Sequence, residues 1–198
     1  MNQRTNTASI DRRVFVSKLI ADCPDALVVT GLGSASYDVY AAGDRPENFY
    51  LWGAMGGAAA VGLGIALAQP ERTVIVITGD GEQLMGIGAL ATIGAQQPKN
   101  LNVVVIDNGH FGETGMQRSH TSLGTDLAVV ARGCGIAEVV TVNDLHQIEA
   151  LASTINKRAN TLLAQVFVHA DELPRALPPR DGVYVKNRFR AALGLAPM

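Results

Sequence analysis

Apolar residues run through this chain in short unbroken blocks, separated by longer stretches rich in Ala, Leu and Ile. Residues 73–78 and 101–107 are dominated by Val, Ile and Leu, the composition of strands covered on both faces. Residues 26–30, 138–142 and 161–168 repeat the pattern and predict three further strands. Residues 83–97 have the length and composition of a helix, which Pro98 ends. Helices are also predicted over 11–21, 55–68, 126–132 and 144–156, with breaks at Cys23, Pro24 and Asp25 and again at Gln69 and Pro70. This alternation predicts an α/β fold, a mostly parallel sheet flanked by helices on both faces.

A right-handed crossover places 73–78 and 101–107 in one sheet with their carboxyl ends on the same edge, where open α/β sheets bind ligands. Gly79, Asp80 and Gly81 close the first of these strands and Asn108 closes the second. A carboxylate and an amide oxygen on neighbouring strand ends suit Mg²⁺, which prefers oxygen ligands and usually completes its octahedron with phosphate and water. Glycines beside Asp80 let a phosphate approach the backbone closely. A lone Gly-Asp-Gly is more often a simple turn, and a carboxylate there can also cap a helix. Placement after a buried strand, with Asn108 on the next one, favours metal and diphosphate.

Composition narrows the setting. A chain of 198 residues that is 47% hydrophobic and 17% charged can bury one substantial core, so one domain is expected over 1–198, with a basic, proline-rich tail over about 171–198. The net charge of −2 and the lack of a basic stripe imply neither nucleic acid nor an anionic membrane as partner. Cys23 and Cys134 form neither a disulfide framework nor a zinc-ligand pattern. Residues 1–13 are polar, and 53–68 are too short and glycine-rich for a membrane span, so a cytoplasmic location is expected. His146 and His169 read as surface and strand-end residues, while His110 and His120 flank the loop after Asn108 and suit local hydrogen bonds. Lys186, Arg188 and Arg190 read as the solvated start of a basic helix.

Asp80 between its glycines, the interval to Asn108 and the run Gly-His-Phe-Gly-Glu-Thr-Gly over 109–115 resemble the diphosphate-binding half of thiamine-diphosphate-dependent decarboxylases. Leu90 to Gly94, Asp107 to Gly109, Thr114 with Gly115, Gln117, and Gly133 to Gly135 most resemble sulfopyruvate and phosphonopyruvate decarboxylases, over roughly residues 10–170. The resemblance implies a thiamine-diphosphate-binding fold, with thiamine diphosphate and Mg²⁺ as cofactors. Its metal ligands would be the Asp80 carboxylate, the Asn108 side-chain oxygen and the His110 backbone carbonyl. The segment from Trp52 to Gly57 would set the Gly53 carbonyl on the aminopyrimidine and wedge Met55 beneath the bent cofactor, although methionine by itself is more often core filler. The Gly31 to Ser34 loop would lie near the diphosphate. The implied cofactor-binding set is Gly33, Ser34, Gly53, Met55, Gly79, Asp80, Gly81, Asn108, His110 and Gly112.

Enzymes of this kind also need a pyrimidine-binding domain whose glutamate activates the cofactor, and 198 residues accommodate only the diphosphate-binding half. The expectation is therefore the β-like subunit of a split 2-oxo acid decarboxylase, a carboxy-lyase working with a pyrimidine-binding α-like subunit in a hetero-oligomer. No catalytic residue is assigned to this chain, because the activating glutamate is expected on the partner. Glu82 and Glu113 stand where small residues are common in the family, and an extra carboxylate repels a sulfonate or phosphonate unless cations accompany it. A carboligase subunit resembling acetolactate synthase, or a non-catalytic cofactor-binding module, fits the same residues.

Overall fold

The computed structural model describes residues 10–198. Residues 1–9, part of the polar N-terminal stretch read above, lie outside the described residues. In chain order the elements are α1 (Arg12–Ala21), β1 (Leu27–Thr30), α2 (Ser34–Ala41), β2 (Asn48–Tyr50), α3 (Ala58–Ala68), β3 (Val74–Gly79), α4 (Asp80–Met85), α5 (Gly88–Gln96) and β4 (Leu101–Asp107). A short hairpin, β5 (His110–Phe111) and β6 (Gln117–Arg118), precedes α6 (Leu127–Gly133), β7 (Glu138–Val142), α7 (Ile148–Lys157), β8 (Leu162–Phe167) and α8 (Gly182–Ala192). Six strands form one sheet in the order β2-β1-β3-β4-β8-β7, and every pairing in it is parallel.

Strand geometry sends successive side chains to opposite faces, which is why apolar runs without a polar side are needed here. Ile75, Ile77, Val104, Ile106, Ala164 and Val166 enter a core covered by α1, α2 and α7. Their neighbours Val74, Val76, Val103, Val105 and Leu163 enter a second core covered by α3, α5 and α6. Helices thus cover both faces, as the sequence pattern predicts.

The helix starts are chemically marked. Asp11 accepts the backbone N–H groups of Arg13 and Val14, and Asp126 accepts that of Val129, so both residues cap helices instead of entering them. Asp144 and Gln147 form a reciprocal capping box on a 3₁₀ turn, and α7 proper begins only at Ile148. The single helix expected over 83–97 is two, α4 and α5, parted at Gly86 and Ile87. Gly86 lies against the backbone of Gly56: a Cβ there would stand 2.1 Å from the Gly56 carbonyl oxygen, so this closeness requires glycine. Helix α2 and strand β2 were not among the sequence expectations.

The C-terminal stretch is not a solvated appendage. Residues 169–181 have no regular structure and run back over α1 and the end of β2, Pro174 O accepting from Arg13 Nη2 at 2.8 Å and Pro179 O from Trp52 Nε1 at 2.9 Å. Helix α8 then buries Val185 and Phe189, and Phe189 packs edge-on to Phe49 of β2 with ring centroids 5.5 Å apart. Arg188, expected in solvent, makes a two-point pair with Asp44 at 2.6 and 3.1 Å, and Lys186 and Arg190 bond to the carbonyls of Met198 and Ala196.

Candidate active site

Parallel pairing of β3 with β4 sets Gly79 opposite Ile106, so the two strands end side by side and Asp80 and Asn108 emerge from neighbouring positions on one edge. Asp80 is 2% exposed. Ser119, which follows the hairpin, donates to its Oδ2, the Thr121 hydroxyl lies 3.2 Å from the same oxygen, and neither engages Oδ1. Burial first, and the Asp107 charge second, push the Asp80 carboxyl up to about 7.

Asp107 is the second buried carboxylate of this edge and plays a different part. Its Oδ1 accepts from Gly109 N at 3.0 Å and Thr121 Oγ1 at 2.8 Å, and its Oδ2 from Gln165 Nε2 at 2.7 Å. Gln165 in turn accepts from Ala128 N in the first turn of α6. With both oxygens engaged, Asp107 organises the loop instead of offering itself to a ligand. Sequence reasoning gave Ser119, Thr121 and Gln165 no role. The signal for one of them was present, since Gln165 is a fully buried amide inside an otherwise apolar strand.

The Asn108 side-chain oxygen accepts from His110 N at 2.9 Å, and the His110 ring Nδ1 meets Asn108 O at 2.8 Å. Histidine therefore shapes the turn locally. An amide oxygen has two lone pairs, so the Asn108 oxygen keeps capacity for a second partner. Among the described residues no three His, Cys, Asp or Glu side chains cluster as a metal site. The Asp80 carboxylate, the Asn108 amide oxygen and the His110 carbonyl would make an all-oxygen set with few charges, the donor chemistry that suits Mg²⁺ sharing its shell with a diphosphate.

The remaining expected residues line the same edge. Gly33, with φ +72, is the N-cap of α2, and Ser34 begins that helix. Gly79 ends β3, and Gly81 is so close to the Phe111 ring that a Cβ would stand 2.6 Å from it. Gly53, also at φ +72, has open space where a side chain would project. Met55 lies half-buried in the turn before α3 and belongs to neither buried core, which separates it from ordinary filler. Gly112 opens an exposed 3₁₀ turn at the tip of the hairpin.

Both unexpected acids rest on the Gly31 to Gly33 loop. Glu82 is 4% exposed; its Oε2 accepts from Leu32 N at 2.9 Å and its carboxylate lies where a Gly31 side chain would be. Burial pushes the carboxyl up, and the Thr78 hydroxyl and the Leu32, Gly56 and Ala58 N–H groups around it oppose that shift. Glu113 lies over Gly33 and accepts from the Tyr37 hydroxyl at 3.4 Å. Glu82 and Glu113 thus fill the space beside Gly31 and Gly33 on this edge.

Comparison with known proteins gives the family of the chain. The profile of the thiamine pyrophosphate enzyme, C-terminal TPP binding domain, matches residues 32–165. Sulfopyruvate decarboxylase subunit beta of Methanocaldococcus jannaschii is 38% identical over 84% of this chain and 88% of its own length. The same subunit of Methanococcus maripaludis is 33% identical over 93% and 98% respectively. Phosphonopyruvate decarboxylase of Streptomyces viridochromogenes is 41% identical over 94% of this chain, which spans 47% of that protein. A Mycobacterium smegmatis crystal structure described as a thiamin diphosphate-dependent enzyme superimposes with a TM-score of 0.66 at 25% identity, covering 80% of this chain and 31% of the other. With the cofactor-binding profile over most of its sheet, and with beta subunits of matching length among its relatives, the chain belongs to the thiamine-pyrophosphate-dependent enzymes, in the family of sulfopyruvate decarboxylase beta subunits.

Proposed function

We propose that this chain is the diphosphate-binding subunit of a split decarboxylase that removes carbon dioxide from a small 2-oxo acid carrying a second acidic group. The observation that carries the reading is the pairing of Asp80 and Asn108 on adjacent ends of β3 and β4, within a domain that matches the cofactor-binding profile. Asp80, Asn108 and the His110 carbonyl hold Mg²⁺, and Gly33, Ser34, Gly79, Gly81 and Gly112 present backbone to the diphosphate. Gly53 and Met55 seat the pyrimidine side. When bound, the cofactor supplies the carbon nucleophile and the electron sink for decarboxylation. The chain's own residues position it and exclude water, while Ser119 and Thr121 keep the Asp80 carboxylate aimed at the metal. Naming of the relatives as beta subunits supports a pyrimidine-binding partner that brings the activating glutamate, in a hetero-oligomer. Two free thiols, and the lack among the described residues of any helix long and apolar enough to cross a membrane, support work in the cytoplasm.

Asp80→Ala and Asn108→Ala are expected to weaken Mg²⁺-dependent binding of thiamine diphosphate by at least about tenfold, or about 1.4 kcal/mol, while the fold survives. Calorimetry on variants whose circular dichroism matches the parent reads this, and unchanged affinity in both would sink the metal assignment. Carbon dioxide release from a panel of 2-oxo acids, with the chain alone and with its co-purified partner, tests the activity: turnover should appear only in the complex.

A further inference from the structure

Two arginines of the C-terminal strap stand on aromatic rings and hold no carboxylate. The Arg175 guanidinium lies 6.0 Å from the Tyr37 ring centroid and that of Arg180 lies 5.4 Å from the Trp52 centroid. The two rings are themselves 6.3 Å apart, so the cations flank a single aromatic pair. Ion pairs among the described residues engage Arg12, Arg13, Lys18 and Arg188, and neither of these two. Both side chains are exposed. Their backbone is nonetheless pinned, through Pro174 to Arg13 on one side and through Pro179 to Trp52 on the other.

This pair adjoins the candidate site. Trp52 immediately precedes Gly53, and Tyr37 donates to Glu113, which rests on Gly33 of the diphosphate loop. Burial and Glu113 push the Tyr37 phenol up, and Arg175 and Arg180 pull it back, which puts both cations within electrostatic reach of that hydroxyl. The two guanidinium groups thus stand beside the Glu113 carboxylate and supply the cations that an extra acid there requires if an anionic substrate is to bind. Guanidinium forks match the oxygens of a tetrahedral oxyanion, and stacking on rings holds them ready without quenching their charge.

We propose that Arg175 and Arg180 form the subsite that recognises the distal acidic group of the substrate, a sulfonate or phosphonate on a short 2-oxo acid. The assignment rests on the decarboxylase reading and adds to it the residues that set substrate preference. A distal oxyanion draws the guanidinium of Arg180 off the indole face, which couples substrate recognition to the environment of Trp52, the only tryptophan of the chain.

The test uses the assembled complex and compares kcat/KM for sulfopyruvate and for phosphonopyruvate with that for pyruvate, which lacks the second acid. In Arg175→Ala and in Arg180→Ala the preference for the doubly acidic substrates over pyruvate should fall by about tenfold or more, carried by KM, and Arg175→Lys should recover part of it. Separate arms for the two acids decide whether the subsite takes sulfonate, phosphonate or both. A second readout needs no turnover: titration with 3-sulfopropionate and with 3-phosphonopropionate should change Trp52 fluorescence in the parent and not in Arg180→Ala. The proposal is overturned by an unchanged preference, by equal losses on all substrates, or by loss of complex assembly at constant preference, which would give the arginines to the partner interface. A complex that decarboxylates no 2-oxo acid defeats the decarboxylase reading instead, and the fluorescence titration still decides whether the arginines bind the oxyanion.

Discussion

Glu82 is the residue whose position is hardest to reconcile with a polyanionic ligand. Its carboxylate covers Gly31 and holds the Leu32 N–H on the loop proposed for the diphosphate. A buried negative charge there costs free energy when a polyanion binds beside it, through charge repulsion. Glu82→Gln keeps the shape and removes the charge. We expect thiamine diphosphate affinity to rise by about tenfold, or about 1.4 kcal/mol, in Mg²⁺-containing buffer. Titration calorimetry reads the change, and an equal or weaker affinity would show that the carboxylate assists binding. Thr121 makes the complementary point at this scale. One hydroxyl reaches both Asp80 and Asp107, joining the ends of β3 and β4 through a residue with no motif around it.

Among elements, α1 and α2 are joined by a clamp of charges. Asp38 of α2 is 1% exposed and takes Arg12 Nη1 at 2.7 Å and Arg13 Nε at 3.1 Å from the first turn of α1. Burial pushes the Asp38 carboxyl up, and the two arginines oppose that shift. Removing one member of such a group strands the other in the interior, so Asp38→Asn should cost about 3–5 kcal/mol of stability. Urea unfolding would measure it, and a loss under about 1 kcal/mol would place the clamp with weak surface pairs. Legibility in the sequence divided along the same lines. Strands β3, β4 and β8 could be read because their apolar runs answer directly to burial on both faces, and the half-buried edge strand β7 because its residues are mostly β-branched. Helix α2 escaped notice because buried Ser36 and Asp38 are polar residues whose partners, Thr30 and the α1 arginines, come from other elements. Strand β2, three residues long, carries too short a pattern to register. In the site, Asp80 and Asn108 were legible from their place at strand ends. The hydroxyls around Asp80 come from the segment after the hairpin, whose return no local periodicity encodes.

For the molecule as a whole, the C-terminal strap and α8 make the fold continuous around its β2 edge. Phe189 is 4% exposed within the core that also holds Leu27, Val29 and Leu63, so Phe189→Ala should destabilise the entire chain by about 3–5 kcal/mol in one cooperative transition. A separate early transition confined to the tail would contradict this. The same continuity places Arg175 and Arg180 beside the cofactor edge at a distance in sequence that motif reading does not cross. The contact of Gly86 with Gly56 has a mechanical meaning as well. Gly56 follows Met55, proposed for the pyrimidine side of the site, and Gly86 caps the helix that begins at Asp80, proposed for the metal side. Because their main chains touch with no side chain between them, the two grips on the cofactor cannot slide independently. Under the proposed cofactor placement the chain therefore offers its ligand one jaw of fixed span.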